Sequence, residues 1–266
     1  MTDTGHSSET VPVFAGPSPR IQRIGMDRPW TWLARGWRDL WRAPAVSLAY
    51  GVIFSLAGLV IAAGIWLIDV FYLVLPLTAG FMLLGPILAV GLYEISRRLD
   101  RGEPVSLGAA LTAWRRNMAQ IALMGLLLML FLLAWIRIAT LLFALFFADN
   151  PPDPNNFIAE VFFSLDSIAF LVTGTILGAI LAGLAFALSV VSIPMLLDRD
   201  TNVVAAAATS FTAVRHNLPA MLFWAFLIVL FVGVGLVSFY IGLVVTLPLI
   251  GHATWHAYRD LVELSD

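Results

Sequence analysis

Five long stretches of this chain contain no Asp, Glu, Lys or Arg, and together they occupy more than half of its 266 residues. A helix rises about 1.5 Å per residue, so about 20 apolar residues cross the hydrocarbon core of a bilayer. The last stretch, with 43 residues, is long enough for two crossings. The pattern predicts an all-α fold, a six-span transmembrane helical bundle. The stretches are residues 43–68, 70–93, 117–136, 167–197 and 216–258.

The composition agrees with a membrane protein and excludes several kinds of chemistry. The chain is 60% hydrophobic and 12% charged, whereas soluble proteins carry about 25% charged residues. Cys is absent, which excludes a disulfide, a thiolate nucleophile and a thiolate metal site. The sequence has no phosphate-binding glycine loop, metalloprotease motif or serine-nucleophile elbow. We therefore predict no enzyme activity and no cofactor.

The arginines are sorted strongly between the two sides of the predicted bundle. All 15 basic residues are Arg, and 14 of them fall in the tails and loops of one side. Positive charge near span ends stays on the cytoplasmic side, which predicts cytoplasmic N- and C-termini and an even number of spans. Contact with anionic lipid headgroups explains these basic loops, which are too small to predict a nucleic-acid partner. A second membrane protein is a further candidate partner.

A sequence repeat predicts that the membrane domain is built from similar hairpins. Thr112–Asn117 precede span three, and the similar Thr212–Asn217 precede span five 100 residues later. Each follows an amphipathic segment, with a predicted N-cap at Ser106 in one and at Thr201 or Asn202 in the other. We predict three repeated hairpins, each prefaced by a cytoplasmic interfacial helix.

These units define the predicted domain organisation. Residues 1–28 have little to bury and are predicted to be a disordered cytoplasmic tail. Residues 29–266 are predicted to form a single six-span membrane domain, with repeat units at about 29–101, 102–200 and 201–262.

The segment before the first span places tryptophan on one side of a helix and arginine on the other. Trp on one face and Arg on the other is typical of a helix that lies in the membrane interface, with the indoles at headgroup level. The apolar stripe is Trp30, Leu33, Ala34, Trp37 and Trp41, and the arginines off the stripe are Arg35, Arg38 and Arg42.

Prolines and small residues suggest how the spans are shaped. The second span of each predicted hairpin carries a proline, at Pro86, Pro194 and Pro248. Proline bends a helix and frees a carbonyl, which marks a binding site in a transporter and elsewhere only shapes the bundle. Gly174 and Gly178 have the spacing that lets helices approach closely, which predicts that span four packs at the bundle centre.

Two parts of the chain resemble a known family. The first hairpin carries Gly36–Leu40, Ala43-Pro44 and Ser47–Gly51, and its second span carries Leu84–Pro86 and Gly91–Glu94. These residues resemble bacterial integral membrane proteins of domain-of-unknown-function family 2189, over about residues 30–260. The resemblance implies a six-span protein of the bacterial inner (cytoplasmic) membrane, with no established activity, catalytic residue or cofactor.

Three histidines are the candidate metal or haem ligands. His252 and His256 are four residues apart and share a helix face, and His216 opens span five at the same predicted membrane level. Two helical histidines with a third ligand can hold zinc, and histidine is the usual axial ligand of haem. The alternative is a row of hydrated interfacial histidines beside aromatic residues. Because no further ligand or catalytic residue accompanies them, we predict no bound metal.

Two other charged residues lie in or beside predicted spans. Arg137 interrupts span three, and it either extends its side chain to the headgroups or pairs with Asp69 or Asp166 on the outer side. Glu94 lies near the inner end of span two, where it either relays protons or forms a surface ion pair with the arginines that follow it.

Three classes of function remain open from the sequence. The preferred class is a non-enzymatic component or accessory factor of a membrane complex, because the spans hold almost no ionisable groups. The alternative is a small-solute or lipid transporter, and a lipid transporter needs fewer such groups than a pump does. A metal- or haem-binding membrane protein is the third.

Overall fold

A computed structural model describes residues 19–67, 74–153 and 156–263 of the chain. Within these ranges the secondary structure is helical apart from one isolated bridge between Ile21 and Val262. The helices are α1 Arg28–Arg42, α2 Pro44–Leu67, α3 Val74–Leu88, α4 Val90–Arg101, α5 Leu107–Leu111, α6 Met118–Phe147, α7 Phe157–Phe162, α8 Ile168–Ser189, α9 Ser192–Asp198, α10 Val203–His216, α11 Leu218–Val237 and α12 Leu243–Leu261.

Five segments of the described chain are long and apolar enough to cross a membrane, which confirms the prediction of an integral membrane protein. The prediction of a sixth span stays a prediction. Its helix, α12, has 19 residues and includes polar side chains in its second half. The five segments are Pro44–Ile65, Gly80–Arg101, Ala113–Phe147, Ile168–Asp198 and Leu218–Val237.

Two of the spans are interrupted near a proline that is predicted to bend the helix. At each interruption, a side chain from another helix hydrogen-bonds the backbone. Between α3 and α4, the Tyr50 hydroxyl donates to the Leu88 carbonyl at 2.7 Å and accepts from the Gly91 N–H at 3.3 Å. Between α8 and α9, the Ser210 hydroxyl accepts from the Val191 N–H at 3.2 Å. Inserted side chains satisfy backbone groups that a broken helix leaves unpaired. Pro248, in contrast, lies inside the continuous helix α12.

The last helix, α12, forms the centre of the bundle and packs against α1, α2, α4 and α11. Glycines permit two of these approaches. A Cβ on Gly36 of α1 would lie 2.7 Å from the Ala253 nitrogen, and a Cβ on Gly51 of α2 would overlap the Val244 carbonyl. Real Cβ atoms essentially never approach backbone this closely, so both sites require glycine.

The two related segments before spans three and five share local structure. Ser106 caps α5 by accepting from the Ala109 N–H, and Asn202 caps α10 by accepting from the Ala205 N–H. Asn117 and Asn217, 100 positions apart, both donate their amides to backbone carbonyls of other segments. These features agree with duplicated units, and the three-hairpin repeat itself stays a prediction.

Helix α1 has one exposed face and one buried face. Its predicted tryptophans, Trp30, Trp37 and Trp41, are exposed, whereas Trp32 and Leu40 on the opposite side are buried. The buried side packs mainly on α12. Just before α1, the Gln22 N–H donates to the Leu261 carbonyl at 2.9 Å. Residues 1–18 lie outside the described residues, so the disordered tail stays a prediction.

Helix α8 differs from its predicted position. Many of its large side chains, among them Ile176, Ile180 and Leu184, are exposed, so it lies at the periphery of the bundle rather than at its centre. Gly178 does permit a close approach, because a Cβ there would lie 3.0 Å from the Trp135 ring of α6. Most of the other small residues of α8 line a cleft.

Candidate functional site

Five polar side chains from four helices meet at the end of the bundle where α1 lies, and we call them the buried polar cluster. They are at most 7% exposed, and in a bundle of apolar helices such groups remain stable only when hydrogen-bonded. The members are Asp39 of α1, Ser47 of α2, Ser96 of α4, and His252 and His256 of α12.

The cluster is a continuous chain of hydrogen bonds. His252 Nε2 lies 3.0 Å from the Ser47 hydroxyl, and His252 Nδ1 lies 2.8 Å from the Ser96 hydroxyl. The Ser96 hydroxyl donates to Asp39 Oδ2 at 2.8 Å. His256 Nε2 reaches the same carboxylate oxygen at 2.8 Å. Asp39 therefore receives two hydrogen bonds from inside the bundle.

The hydrogen bonds of the cluster determine which ring nitrogen carries a proton on each histidine. A serine hydroxyl has one proton, and Ser96 gives its proton to Asp39, so His252 Nδ1 must carry the proton that Ser96 accepts. The opposite nitrogen of a neutral His252 then accepts from Ser47. A carboxylate only accepts, so His256 donates from Nε2. Every member is satisfied in this arrangement, which ties α1, α2, α4 and α12 together.

The order Ser47, His252, Ser96, Asp39 has the residue types of a nucleophile, a base and an orienting acid. Catalysis also needs access for a substrate, and Ser47 and His252 are both 0% exposed. The geometry thus favours a structural link between helices over acyl transfer. The absence of enzyme activity stays a prediction.

The three candidate histidine ligands lie in two different environments. His216 is exposed at the end of α10, whereas His252 and His256 are buried and hydrogen-bonded to serine and aspartate. The interpretation of hydrated interfacial histidines is therefore wrong for these two, because α1 and α4 cover them. Among the residues that the structure describes, no group of three or more His, Cys, Asp or Glu side chains could hold a metal ion.

The Asp39 carboxyl is strongly influenced by its surroundings. Burial by itself raises its pKa, but the hydrogen bond and charge of His256, with the Ser96 hydroxyl, outweigh burial and hold the pKa below its usual value. The ionised form is therefore the form that the fold stabilises.

We expect the stability contribution of Asp39 to depend on pH. A carboxyl with a lowered folded-state pKa stabilises the fold above its unfolded pKa of about 3.9, and this contribution is lost as the pH falls through the lower folded value. The destabilisation by Asp39→Asn should be full at neutral pH and shrink below about pH 4. Thermal unfolding of both proteins in detergent across this range measures it. An equal difference at both ends of the range would contradict an ionised Asp39.

Further ion pairs surround the cluster and correct two predictions. Glu94 is 1% exposed and binds Arg97 Nε at 2.7 Å and Arg98 Nε at 2.7 Å, so the predicted surface pair is buried. Arg35, predicted to face lipid, donates to Asp260 at 2.9 Å. Arg38 is exposed, as the interfacial prediction requires.

The predicted pairing of Arg137 with an outer-side aspartate involves residues outside the described part of the chain. Arg137 is exposed on α6. Asp69 and the side chain of Asp166 lie outside the described residues, so their pairing with Arg137 stays a prediction.

A second feature lies among the spans themselves: an apolar cleft of about 740 Å³. One wall is α8 with α6, the other is α11, and α3 with α12 forms the floor. The cleft opens at the periphery of the bundle, because Gly183 on one wall and Leu222 and Phe226 on the other are exposed. Helix α7 closes the end farther from α9 with Phe157, Val161 and Phe162.

The lining of the cleft is uncharged at every position that the structure describes. Phenylalanines and small residues dominate it, with a few hydroxyl groups. One of them, Ser189 at the last residue of α8, is 1% exposed, and its hydroxyl has no hydrogen-bond partner among the described residues. Clefts of this size and apolar character are typical of sites for small apolar ligands.

The helices from α3 to α9 supply one wall and part of the floor of this cleft, the two interrupted spans and the buried Glu94 pair. Residues 74–198 match the predicted integral membrane protein family DUF2189. The match confirms the resemblance over just under half of the chain. No curated protein and no solved structure matches the chain.

The DUF2189 region contains Ser96 and Ser189, whereas Asp39 and both buried histidines lie outside it. The site residues predicted from the sequence do not include Asp39, Ser47, Ser96 or Ser189. The burial of Asp39 was predictable from the sequence, because Asp39 follows Trp32 and Gly36 at helical spacing on the face opposite the tryptophan stripe. An acidic residue on a second apolar face predicts a buried partner. Serines in apolar spans gave no comparable signal.

Proposed function

We propose that this protein is a non-enzymatic membrane protein that binds a lipid-like molecule in the cleft between α8 and α11, as a lipid carrier or transporter does. The observation that carries the proposal is the cleft itself, about 740 Å³ in volume, with an uncharged lining and an opening at the bundle periphery. An apolar molecule can enter such a cleft from the bilayer without crossing water.

The charge distribution favours an apolar ligand over a charged solute. Coupled pumps and ion transporters place ionisable groups along their membrane pathway, and the described lining residues include none. The buried polar cluster contributes no such pathway group, because its members bind one another across four helices. An accessory role in a membrane complex stays a prediction, since no feature of the described surface identifies a protein partner.

We place the ligand site in a six-span protein of three repeated hairpins, with α12 as the sixth span. A helix of 19 residues extends about 28 Å, close to the hydrocarbon thickness of about 30 Å. The arginine distribution supports cytoplasmic termini, and the resemblance to bacterial integral membrane proteins implies insertion in the inner membrane of a bacterium.

Single cysteines test this topology, because the chain has no native Cys. We expect an impermeant thiol reagent to label one set of sites in intact cells and the other set only after lysis. If α12 does not cross, the C-terminal site at Glu263 will be labelled in intact cells. The outer sites are Asp69, Asn155 and Ser238, and the inner sites are Ser7, Arg101, Asp200 and Glu263.

Filling the cleft tests the ligand. A Cβ on Gly183 meets no heavy atom within 4 Å, so Gly183→Leu should fold while its side chain occupies the cleft. Overpacking costs about 1–3 kcal/mol, so we expect ligand occupancy to fall by a factor of about 5–150. Native mass spectrometry of protein purified in mild detergent measures the bound lipid.

The matched control is Gly233→Leu in α11. Gly233 is also a glycine with open space around its Cβ, and it does not line the cleft. Its bound lipid should equal that of the unaltered protein. Equal occupancy in the Gly183→Leu variant, or no bound lipid in any of the three proteins, would overturn the proposed function.

A further inference from the structure

We infer that the part of the ligand inside the cleft is an uncharged lipid segment that carries a hydroxyl or carbonyl group, and that Ser189 hydrogen-bonds this group. The inference rests on the proposed function and adds the chemical class of the ligand and the place where its polar group binds. The chain of the ligand would extend along the phenylalanines toward α7.

The Ser189 hydroxyl is unusual for its surroundings. It is 1% exposed and unpaired among the residues that the structure describes, and a buried unpaired hydroxyl destabilises a fold. Serine and threonine in a helix commonly donate to the carbonyl four residues earlier. Thr254 does so at 2.8 Å, and Ser192 does so with Leu188. Ser189 does not, so its donor and its acceptor both lack a partner among the described residues. Ser189 lines the cleft, and a ligand reaches its buried hydroxyl when the neighbouring side chains of the lining move aside.

The lining also holds hydroxyl groups on Tyr93, Thr140, Thr175 and Thr254, but among the described lining residues only the Ser189 hydroxyl is both fully buried and unpaired. Thr140 and Thr254 line the cleft, but each donates its proton to its own helix, to Ile136 and Ile250 respectively. Ser189 lies at the opposite end of the cleft from α7, because α8 ends at this residue and α9 begins at Ser192. The polar end of a ligand would therefore lie at the α9 end and its apolar chain at the α7 end.

Charge distinguishes the candidate lipids. An ionised carboxylate or phosphate inside an uncharged cleft would lose its hydration without a compensating partner. A hydroxyl or a carbonyl loses far less and gains one hydrogen bond from Ser189. Alcohols, quinones and neutral glycerides share this chemistry, and so does the ester carbonyl of a phospholipid whose headgroup remains outside the cleft.

The test uses photoreactive probes with a diazirine in the middle of the same alkyl chain: a fatty alcohol, the corresponding alkane, an ionised fatty acid and a phospholipid with the labelled acyl chain. Labelling of the full-length protein in detergent is mapped by mass spectrometry. The ratio of alcohol labelling to alkane labelling is compared between Ser189→Ala and the unaltered protein. Differences in how the probes partition into detergent cancel in this comparison. One hydrogen bond corresponds to about a tenfold preference for the alcohol, which Ser189→Ala should abolish.

Controls separate this inference from general effects on folding. Ser192→Ala removes a nearby buried hydroxyl that already has a partner, and it should leave the preference for alcohol unchanged. Ser189→Ala should unfold at the same temperature as the unaltered protein or higher when no ligand is bound, because it removes an unpaired polar group. A Ser189-dependent gain for the phospholipid probe as well would identify an ester carbonyl as the bound group, and a gain for the alcohol alone would identify a neutral lipid.

The outcomes also separate this inference from the proposed function. An alcohol preference that persists in Ser189→Ala, or equal labelling of the cleft by the fatty acid, overturns the role of Ser189 and the uncharged class. If the alkane still labels the cleft and Gly183→Leu blocks it, the proposed function stands. If no probe labels the cleft, the proposed function fails together with the inference.

Discussion

Replacing Asp39 with alanine is expected to destabilise the folded protein by about 3–5 kcal/mol, because removal of one partner leaves the other buried polar groups uncompensated. His256 and Ser96 both donate to Asp39 Oδ2 at 2.8 Å. Without the carboxylate, Ser96, which is 0% exposed, and His256, which is 7% exposed, both lose their acceptor. Ser96 could then release His252 as well, so the defect extends through the hydrogen-bonded chain. Equilibrium unfolding in mixed micelles measures the loss.

The matched control for this prediction lies in the same segment. Asp27 precedes α1, is exposed, and makes no side-chain capping hydrogen bond, so Asp27→Ala should change the unfolding free energy by less than about 0.5 kcal/mol. If Asp39→Ala is as mild as Asp27→Ala, the buried polar cluster does not hold the four helices together.

Substitution of Gly51 by alanine should be comparably severe, with a loss of about 3 kcal/mol or more. The new methyl group would overlap the carbonyl of Val244 and lie 2.9 Å from its Cα. Both obstructing atoms belong to the backbone of α12, so relief requires α2 and α12 to separate. Separation would also lengthen the contact between Ser47 and His252.

Gly64 provides the control for Gly51, because it lies in the same helix and a Cβ there meets nothing within 4 Å. Alanine favours a helix over glycine by up to about 1 kcal/mol, so Gly64→Ala should be neutral or stabilising in the same unfolding experiment. A Gly51→Ala protein as stable as the Gly64→Ala protein would mean that α2 and α12 are not in close contact.

Hydropathy and local sequence predicted much of the helical framework. The apolar stretches predicted the five helical segments that are long and apolar enough to cross a membrane. Ser106 and Asn202 are N-caps as expected, because capping depends on residues three positions away. Span three is longer than its uncharged stretch, since α6 continues through Arg137 to Phe147. These features depend on short-range interactions that a sequence pattern records.

The candidate sites depend on long-range contacts and could not be predicted in the same way. Asp39 and His256 are 217 positions apart, and nothing local indicates that α1 covers the end of α12. Small residues were interpreted as a packing surface, but on α8 most of them face a cleft. A small side chain creates space equally well for another helix or for a ligand, so only the arrangement of the walls distinguishes the two.

The pairing of the two chain ends has a consequence for biosynthesis. The first described residues pair with the last ones, at Ile21 with Val262, and α1 packs on α12. A ribosome makes α12 long after α1, so Asp39 has no histidine partner until the 217 positions that separate it from His256 have been synthesised. A prematurely terminated chain therefore presents an unpaired carboxylate and an uncovered apolar face of α1. Closure of α1 onto α12 is therefore a late step in folding, which follows synthesis of every helix between them.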